Sequence, residues 1–225
     1  MISGAWNRDL TGMGRTRVKI CGITRPEDGQ LAAILGADAI GLVFYPVSAR
    51  GISAKQAQQI VSVLPPFVTV VALFVDPERS AVSEILQAVR VDALQFHGCE
   101  DPEFCAAFGL PYIKAVPMRE GVDVIAAAAR YSNASALLLD TFQSGKAGGT
   151  GQTFDWSWMP SGLDKPIILA GGLTAENVGE AIARLRPFAV DVSGGVEFSK
   201  GKKDPGKMTA FFRSVNSANA AGRTS

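Results

Sequence analysis

Arg17-Val-Lys-Ile-Cys-Gly-Ile-Thr-Arg-Pro-Glu-Asp-Gly-Gln-Leu-Ala-Ala-Ile-Leu-Gly36 is the stretch on which the fold turns. Its first five residues are a short apolar run that reads as a strand. Thr24-Arg-Pro-Glu27 then reads as a helix start, with Thr24 as the cap, Pro26 in the first turn and Glu27 three residues beyond the cap. Leu31, Ala32 and Leu35 carry that helix forward, and Gly36 suits its end. One strand followed by one helix is the unit.

Working outward, the unit recurs. Strand-like runs span Asp38–Phe44, Phe67–Val75, Val91–Phe96, Tyr112–Val116, Ala136–Leu139, Pro166–Ala170 and Phe188–Val192. Helical segments are expected at about Ser53–Val63, Pro77–Ala88, Pro102–Phe108, Val122–Tyr131, Ala175–Leu185 and Pro205–Val215. After the sixth run there is only a Gly-rich loop and a short helical turn near Asp155–Trp158. Near-continuous apolar strands separated by helices imply a parallel sheet covered on both faces. Eight such units close an α/β fold of the (β/α)8 or TIM-barrel class. A doubly wound open sheet would usually carry a Gly-rich dinucleotide turn after an early strand, and Cys21-Gly-Ile-Thr24 is not one. The expected organisation is a single barrel domain over residues 17–216. An aperiodic N-terminal extension (1–16) precedes it, and a small, polar C-terminal tail (217–225) follows.

Composition narrows the function. The 225 residues are 47% hydrophobic and 19% charged, enough apolar material for one sizeable core. Lys and Arg number 22 against 21 Asp and Glu, a net charge of +1, which argues against a nucleic-acid partner. The longest apolar stretch, Ile60–Val75, is broken by Ser62, Pro65 and Pro66, so no membrane span is expected. The N-terminus has no apolar signal region. Three sparse cysteines, Cys21, Cys99 and Cys105, have no metal-ligand spacing and fit a reducing, cytoplasmic setting.

In such a barrel the site lies at the C-terminal ends of the strands. That filter selects a short set of residues. Gly171-Gly172 follows strand seven and Ser193-Gly194-Gly195 follows strand eight, the two loops that usually cradle a phosphate. Tight turning alone is the plain alternative. Cys21 ends strand one; it is either a small buried hydrophobe or, as a thiolate of lowered pKa, a base. Asp140 ends strand six, where it could cap a loop or act as a general acid. Arg50, in the loop after strand two, could hold a carboxylate bidentately or simply solubilise the loop. His97, the sole histidine, follows strand four; it invites a catalytic role or is a satisfied structural histidine, and it is counted with the substrate-binding residues outside the acid–base pair. Gln143–Gln152, with four glycines around Lys146, is not a P-loop and reads as a lid or a plain flexible loop. Lys200, Lys202 and Lys203 read as a solvated surface cluster.

The motifs, taken in order, carry a resemblance. They are Val18-Lys-Ile-Cys-Gly-Ile-Thr24, Gly41-Leu-Val-Phe44, Ser48-Ala-Arg50, Gln95-Phe-His-Gly98 and Leu139-Asp-Thr141, followed by Gly148-Gly-Thr-Gly151 with Phe154-Asp-Trp156, then Ala170-Gly-Gly-Leu-Thr-Ala-Glu-Asn177 and Asp191-Val-Ser-Gly-Gly-Val-Glu197. Together they resemble the phosphoribosylanthranilate isomerases of tryptophan biosynthesis, and the match covers essentially the whole barrel. The resemblance implies an Amadori rearrangement of N-(5'-phosphoribosyl)anthranilate by general acid–base catalysis, with neither metal nor organic cofactor. It implies Asp140 as the acid, Cys21 as the base, Arg50 on the anthranilate carboxylate, and Gly171, Gly172, Ser193, Gly194 and Gly195 around the phosphate. The implied partner is a small phosphosugar substrate, and the implied assembly is a monomer or homodimer. Two positions depart from the family's usual pattern, Gly194 for Ser and Phe96 for Leu; the second points to packing rather than chemistry. The related carboxamide ribotide isomerase of histidine synthesis resembles a barrel with Asp at the end of strand one, and Cys21 argues against it. A non-catalytic phosphate-binding barrel is a further reading, against which Cys21 and Asp140 speak.

Overall fold

The structure is a computed structural model that describes residues 15–141, 153–160 and 162–222. Eight strands are β1 (Arg17–Cys21), β2 (Ala39–Val43), β3 (Thr69–Phe74), β4 (Ala93–Phe96), β5 (Tyr112–Met118), β6 (Ala136–Thr141), β7 (Ile167–Leu169) and β8 (Ala189–Val192). They pair in parallel, each with the next, and β8 pairs with β1, so the sheet is a closed barrel. The helices are α1 (Pro26–Ile34), α2 (Ala54–Ser62), α3 (Arg79–Ala88), α4 (Pro102–Ala106), α5 (Val124–Arg130), α6 (Val178–Leu185) and α7 (Pro205–Ala221). Between β6 and β7 the described residues carry a 3-10 turn, Trp156–Trp158. The expected (β/α)8 architecture in one domain is what the chain adopts.

Side chains alternate along a strand, so each strand has an outward and an inward set. Val18 and Ile20, Ile40 and Leu42, Leu137 and Leu139, and Val190 and Val192 point outward and pack with the helices in the main core. The other parity, including Ala115, Leu138, Ile168, Ala170 and Ala189, packs as a separate cluster inside the barrel. Cys21, Val43 and Leu73 form a third cluster, towards the C-terminal mouth. Phe96 is fully buried on the outward face among Phe74, Phe104, Phe108 and Tyr112, with ring centroids 5.8–6.3 Å away. Its environment is one of packing.

Three local expectations are corrected. Thr24 does not cap α1: Arg25 occupies the cap position without a side-chain bond, and the Thr24 hydroxyl donates to the Gly201 carbonyl. Helix α7 does not stop at Val215 but continues to Ala221, into the expected tail. There Asn219 accepts from the Thr16 N–H at 2.8 Å, tying the chain's entry into β1 to its last helix. The third correction is an unforeseen two-stranded hairpin after β8, β9 (Glu197–Ser199) and β10 (Lys202–Lys203). Residues 1–14 of the expected extension and the expected lid, Gln143–Gln152, lie outside the described residues.

Candidate active site

Inward parity and strand ends together build the site. Cys21, His97 and Asp140 all follow the inward set of β1, β4 and β6, two residues beyond Lys19, Gln95 and Leu138 respectively. Cys21 is 7% exposed and Asp140 8%. Gly22, at φ +72°, follows Cys21 and makes room: a Cβ there would lie 2.6 Å from Arg50 Cδ and 3.0 Å from Ser193 Oγ.

Asp140 is held from both sides. The Thr141 N–H donates to Oδ1 at 2.9 Å, and His97 Nε2 lies 3.2 Å from Oδ2. Behind the imidazole, Gln95 Nε2 is 3.1 Å from His97 Nδ1. With that amide donating, Nδ1 accepts and Nε2–H is turned to the carboxylate. Gln95 is fully buried, and its Oε1 has no hydrogen-bond partner among the described residues. Gly171, at φ +79°, packs so closely that a Cβ would collide with Thr141 and come within 2.9 Å of Asp140 Oδ1. The first glycine of the loop after β7 is thus a wall of the pocket around the Asp140 carboxyl group.

The glycine turns after β7 and β8 touch each other. A Cβ on Gly195 would run into the Leu173 carbonyl oxygen. Asn177 braces the first turn, its Oδ1 accepting from Thr174 N–H and its Nδ2 donating to the Gly172 carbonyl, both at 2.9 Å. Gly194 and Gly195 open a 3-10 turn. Among the described residues, no protein acceptor takes the amide hydrogens of Gly172, Gly194 or Gly195. Such a concave group of backbone donors is suited to an anion.

Arg50 is already engaged. Its Nε and Nη2 donate to the two Glu197 oxygens at 2.7 and 2.8 Å. That bidentate pair uses two of the five guanidinium donors and leaves the rest of the fork available. Burial works to push the Glu197 carboxyl up, but Arg50 and Lys203 outweigh it and hold it below the usual carboxylate range. Lys203 corrects the sequence reading. It is 2% exposed, not solvated, while Lys200 and Lys202 are exposed. Its ammonium donates to the Cys21 carbonyl at 2.7 Å, the Ser193 carbonyl at 3.2 Å and Glu197 at 3.1 Å. Burial pulls its pKa down despite Glu197. Lys203 therefore ties the end of β1 to the turn after β8. The signal for it was slight, a lysine in a strand of two residues.

Below the mouth, Lys19 and Asp191 are paired across β1 and β8, Nζ to Oδ1 at 2.9 Å. Sequence reasoning passed over both. Their signal was parity: Lys19 shares the inward face with Cys21. The Cys21 thiol is pushed up by burial; Lys19 and Lys203 pull it back, while Asp191 adds to the rise. The lowered thiol pKa that a base would favour is not what the site provides.

A thiol and a carboxylate at the barrel mouth, an oriented guanidinium and two abutting glycine turns are the equipment of a (β/α)8-barrel enzyme for a small phosphorylated substrate. The chain belongs to the N-(5'-phosphoribosyl)anthranilate isomerase family, whose model matches residues 18–214. It is 58% identical over 91% of its length to the whole of the N-(5'-phosphoribosyl)anthranilate isomerase of Nitrosococcus oceani. It is 56% identical over 92% of its length to the whole of a Pseudomonas putida relative of the same name. Among solved structures, the phosphoribosylanthranilate isomerase of Thermotoga maritima superposes with a TM-score of 0.83 at 41% identity, over 90% of this chain and 99% of that one. Another, described as the enzyme in complex with reduced 1-(o-carboxyphenylamino)-1-deoxyribulose 5-phosphate, gives a TM-score of 0.79 at 40% identity, over 90% and 99%.

Proposed function

We infer that this chain is an isomerase of tryptophan biosynthesis. It converts N-(5'-phosphoribosyl)anthranilate into 1-(2-carboxyphenylamino)-1-deoxyribulose 5-phosphate. The observation that carries this is family membership across the whole barrel, joined to a thiol and a carboxylate on inward strand ends. The chemistry needs one acid and one base. Asp140, as the acid, gives its proton to the furanose ring oxygen as the bond from that oxygen to the anomeric carbon breaks. The anilino nitrogen's lone pair moves in to form a Schiff-base cation, which acidifies the neighbouring C–H. Cys21, as the thiolate, takes that proton, and the C–H electron pair becomes a carbon–carbon double bond that neutralises the cation. The resulting enol tautomerises to the ketose.

The other residues position the substrate. Arg50, braced by Glu197, offers its remaining donors to the anthranilate carboxylate. The amides of Gly171, Gly172, Gly194 and Gly195, with Ser193, take the phosphate without a lysine. His97 lies at the mouth, but its Nε2 is turned to Asp140, so we assign it to orienting the acid. A base that must stay a free thiol suits a reducing cytosol. All these residues come from one chain, so a monomer and a homodimer would both be active. Incubating the purified chain with N-(5'-phosphoribosyl)anthranilate and following loss of the substrate's fluorescence tests the reading. Steady turnover is the expected result, and no loss above the uncatalysed rate contradicts it.

A further inference from the structure

The Lys19–Asp191 pair is a costly thing to bury, with side chains only 4% and 8% exposed. Desolvating two charges offsets much of their attraction, and apolar residues often serve stability as well or better. The pair lies in a barrel interior whose other side chains are mostly apolar, Ala115, Leu138, Ile168 and Leu73 among them, with Gln95 a polar exception. Its position suggests what it serves. Lys19 precedes Cys21 by two residues, so both project inward from β1. In β2, Gly41 is the register partner of Cys21. A Cβ on Gly41 would lie 2.8 Å from Cys21 Sγ and 3.0 Å from Lys19 Nζ. The thiol and the ammonium therefore border the same hollow that this glycine leaves.

We propose that Lys19 is a positioning residue that holds the Cys21 thiolate in its basic form, and that Asp191 sets the strength of that hold by competing for the same ammonium. This rests on Cys21 being the base. Other charges face the thiol too. Lys203 approaches from β10 and Arg50 from the loop after β2, and both are engaged by Glu197. Lys19 is the strongest pull towards the thiolate, against burial and Asp191. For Lys19 itself burial works downward, but Asp191 and Cys21 outweigh it and keep the ammonium above its ordinary pKa. Both neighbouring carboxylate and thiolate thus favour its charged form. The thiolate is a strong proton acceptor because it is buried, and Lys19 beside it offsets part of the rise that burial imposes.

The test is a pair of variants with opposite signs. The rate at which iodoacetamide alkylates Cys21 is followed against pH by mass spectrometry of its peptide, with Cys99 and Cys105 as internal references. Lys19→Met moves the alkylation midpoint up, and the rate on the acid side of the wild-type midpoint falls about tenfold for each pH unit moved. Asp191→Asn leaves the thiolate as the ammonium's remaining acidic partner, so the midpoint moves down. The ascending limb of kcat/KM follows in both cases. A purely structural pair would not move the two in opposite directions. Unmoved midpoints, or midpoints that move together, overturn the proposal. Should Lys19→Met not fold, the double variant Lys19→Met/Asp191→Leu removes the stranded carboxylate. Its midpoint is expected above wild type, and an unchanged one again overturns the proposal. The base assignment fails separately, if Cys21→Ala keeps its turnover.

Discussion

In the proposed reaction Cys21 is the base and Arg50 holds the anthranilate carboxylate, and each assignment has a consequence that can be measured. Burial pushes the Cys21 thiol above its ordinary value, and only the thiolate accepts a proton. The rate must then rise with pH through that raised pKa. The ascending limb of kcat/KM, which reports the free enzyme, is expected above about 8.5, the ordinary thiol value. A pH–rate profile whose rise is complete by neutrality would contradict this. Glu197 fixes the Arg50 guanidinium, so in the proposed role it is oriented before substrate arrives. Holding a carboxylate away from the reacting carbons is largely uniform binding, so Arg50→Ala should raise KM more than it lowers kcat. Steady-state kinetics with both constants unchanged would remove Arg50 from the site.

At the scale of elements, the two glycine turns act as one unit, since Gly195 lies against the Leu173 carbonyl with no room for a methyl group. Gly195→Ala must therefore push the turns after β7 and β8 apart. The expected outcome is a higher KM and weaker competition by inorganic phosphate, with the melting temperature little changed. Inhibition by phosphate equal to wild type would mean that the cradle lies elsewhere. These turns were legible in the sequence because paired glycines follow the last two strands of a countable series. So were Cys21 and Asp140, each the inward residue at the end of an apolar run. Lys203 was not legible. It is carried by a hairpin too short to leave an alternating pattern, and a lysine beside Lys202 reads as surface. Lys19 was legible in principle from its parity with Cys21, but a charged residue in a strand draws attention only once the barrel is seen to be closed. Thr24 had the spacing of a cap, yet its hydroxyl found a tertiary partner in Gly201.

Across the whole molecule, closure of β8 on β1 is what brings residues far apart in sequence into one mouth. Cys21 and Lys203, for example, meet across 182 positions. The period of eight strand–helix units made this closure readable without any contact information. The ends of the barrel were less readable, because the last turn of α7 is small and polar, with Asn219 tying it to the entry of β1. Asn219 bonds the Thr16 backbone through both its oxygen and its nitrogen. Truncation after Asn216 should lower Tm by a few degrees, since about 1 kcal/mol corresponds to roughly 2–4 °C in a domain of this size. Turnover below the transition should be unaffected. An unchanged melting curve would show that α7 is not fastened there.

The central claim is that one thiol and one carboxyl at the barrel mouth carry the isomerisation, and it meets its most direct test in Cys21→Ala. The variant's turnover of N-(5'-phosphoribosyl)anthranilate is measured by loss of substrate fluorescence. Circular dichroism and phosphate inhibition confirm that fold and cradle are intact, and Asp140→Asn is run beside it. General acids and bases contribute on the order of 100- to 10,000-fold, so each variant should lose at least about 100-fold in kcat. A Cys21→Ala protein that folds, binds phosphate and keeps most of its turnover would contradict the account, leaving Cys21 as a packed residue at the end of β1.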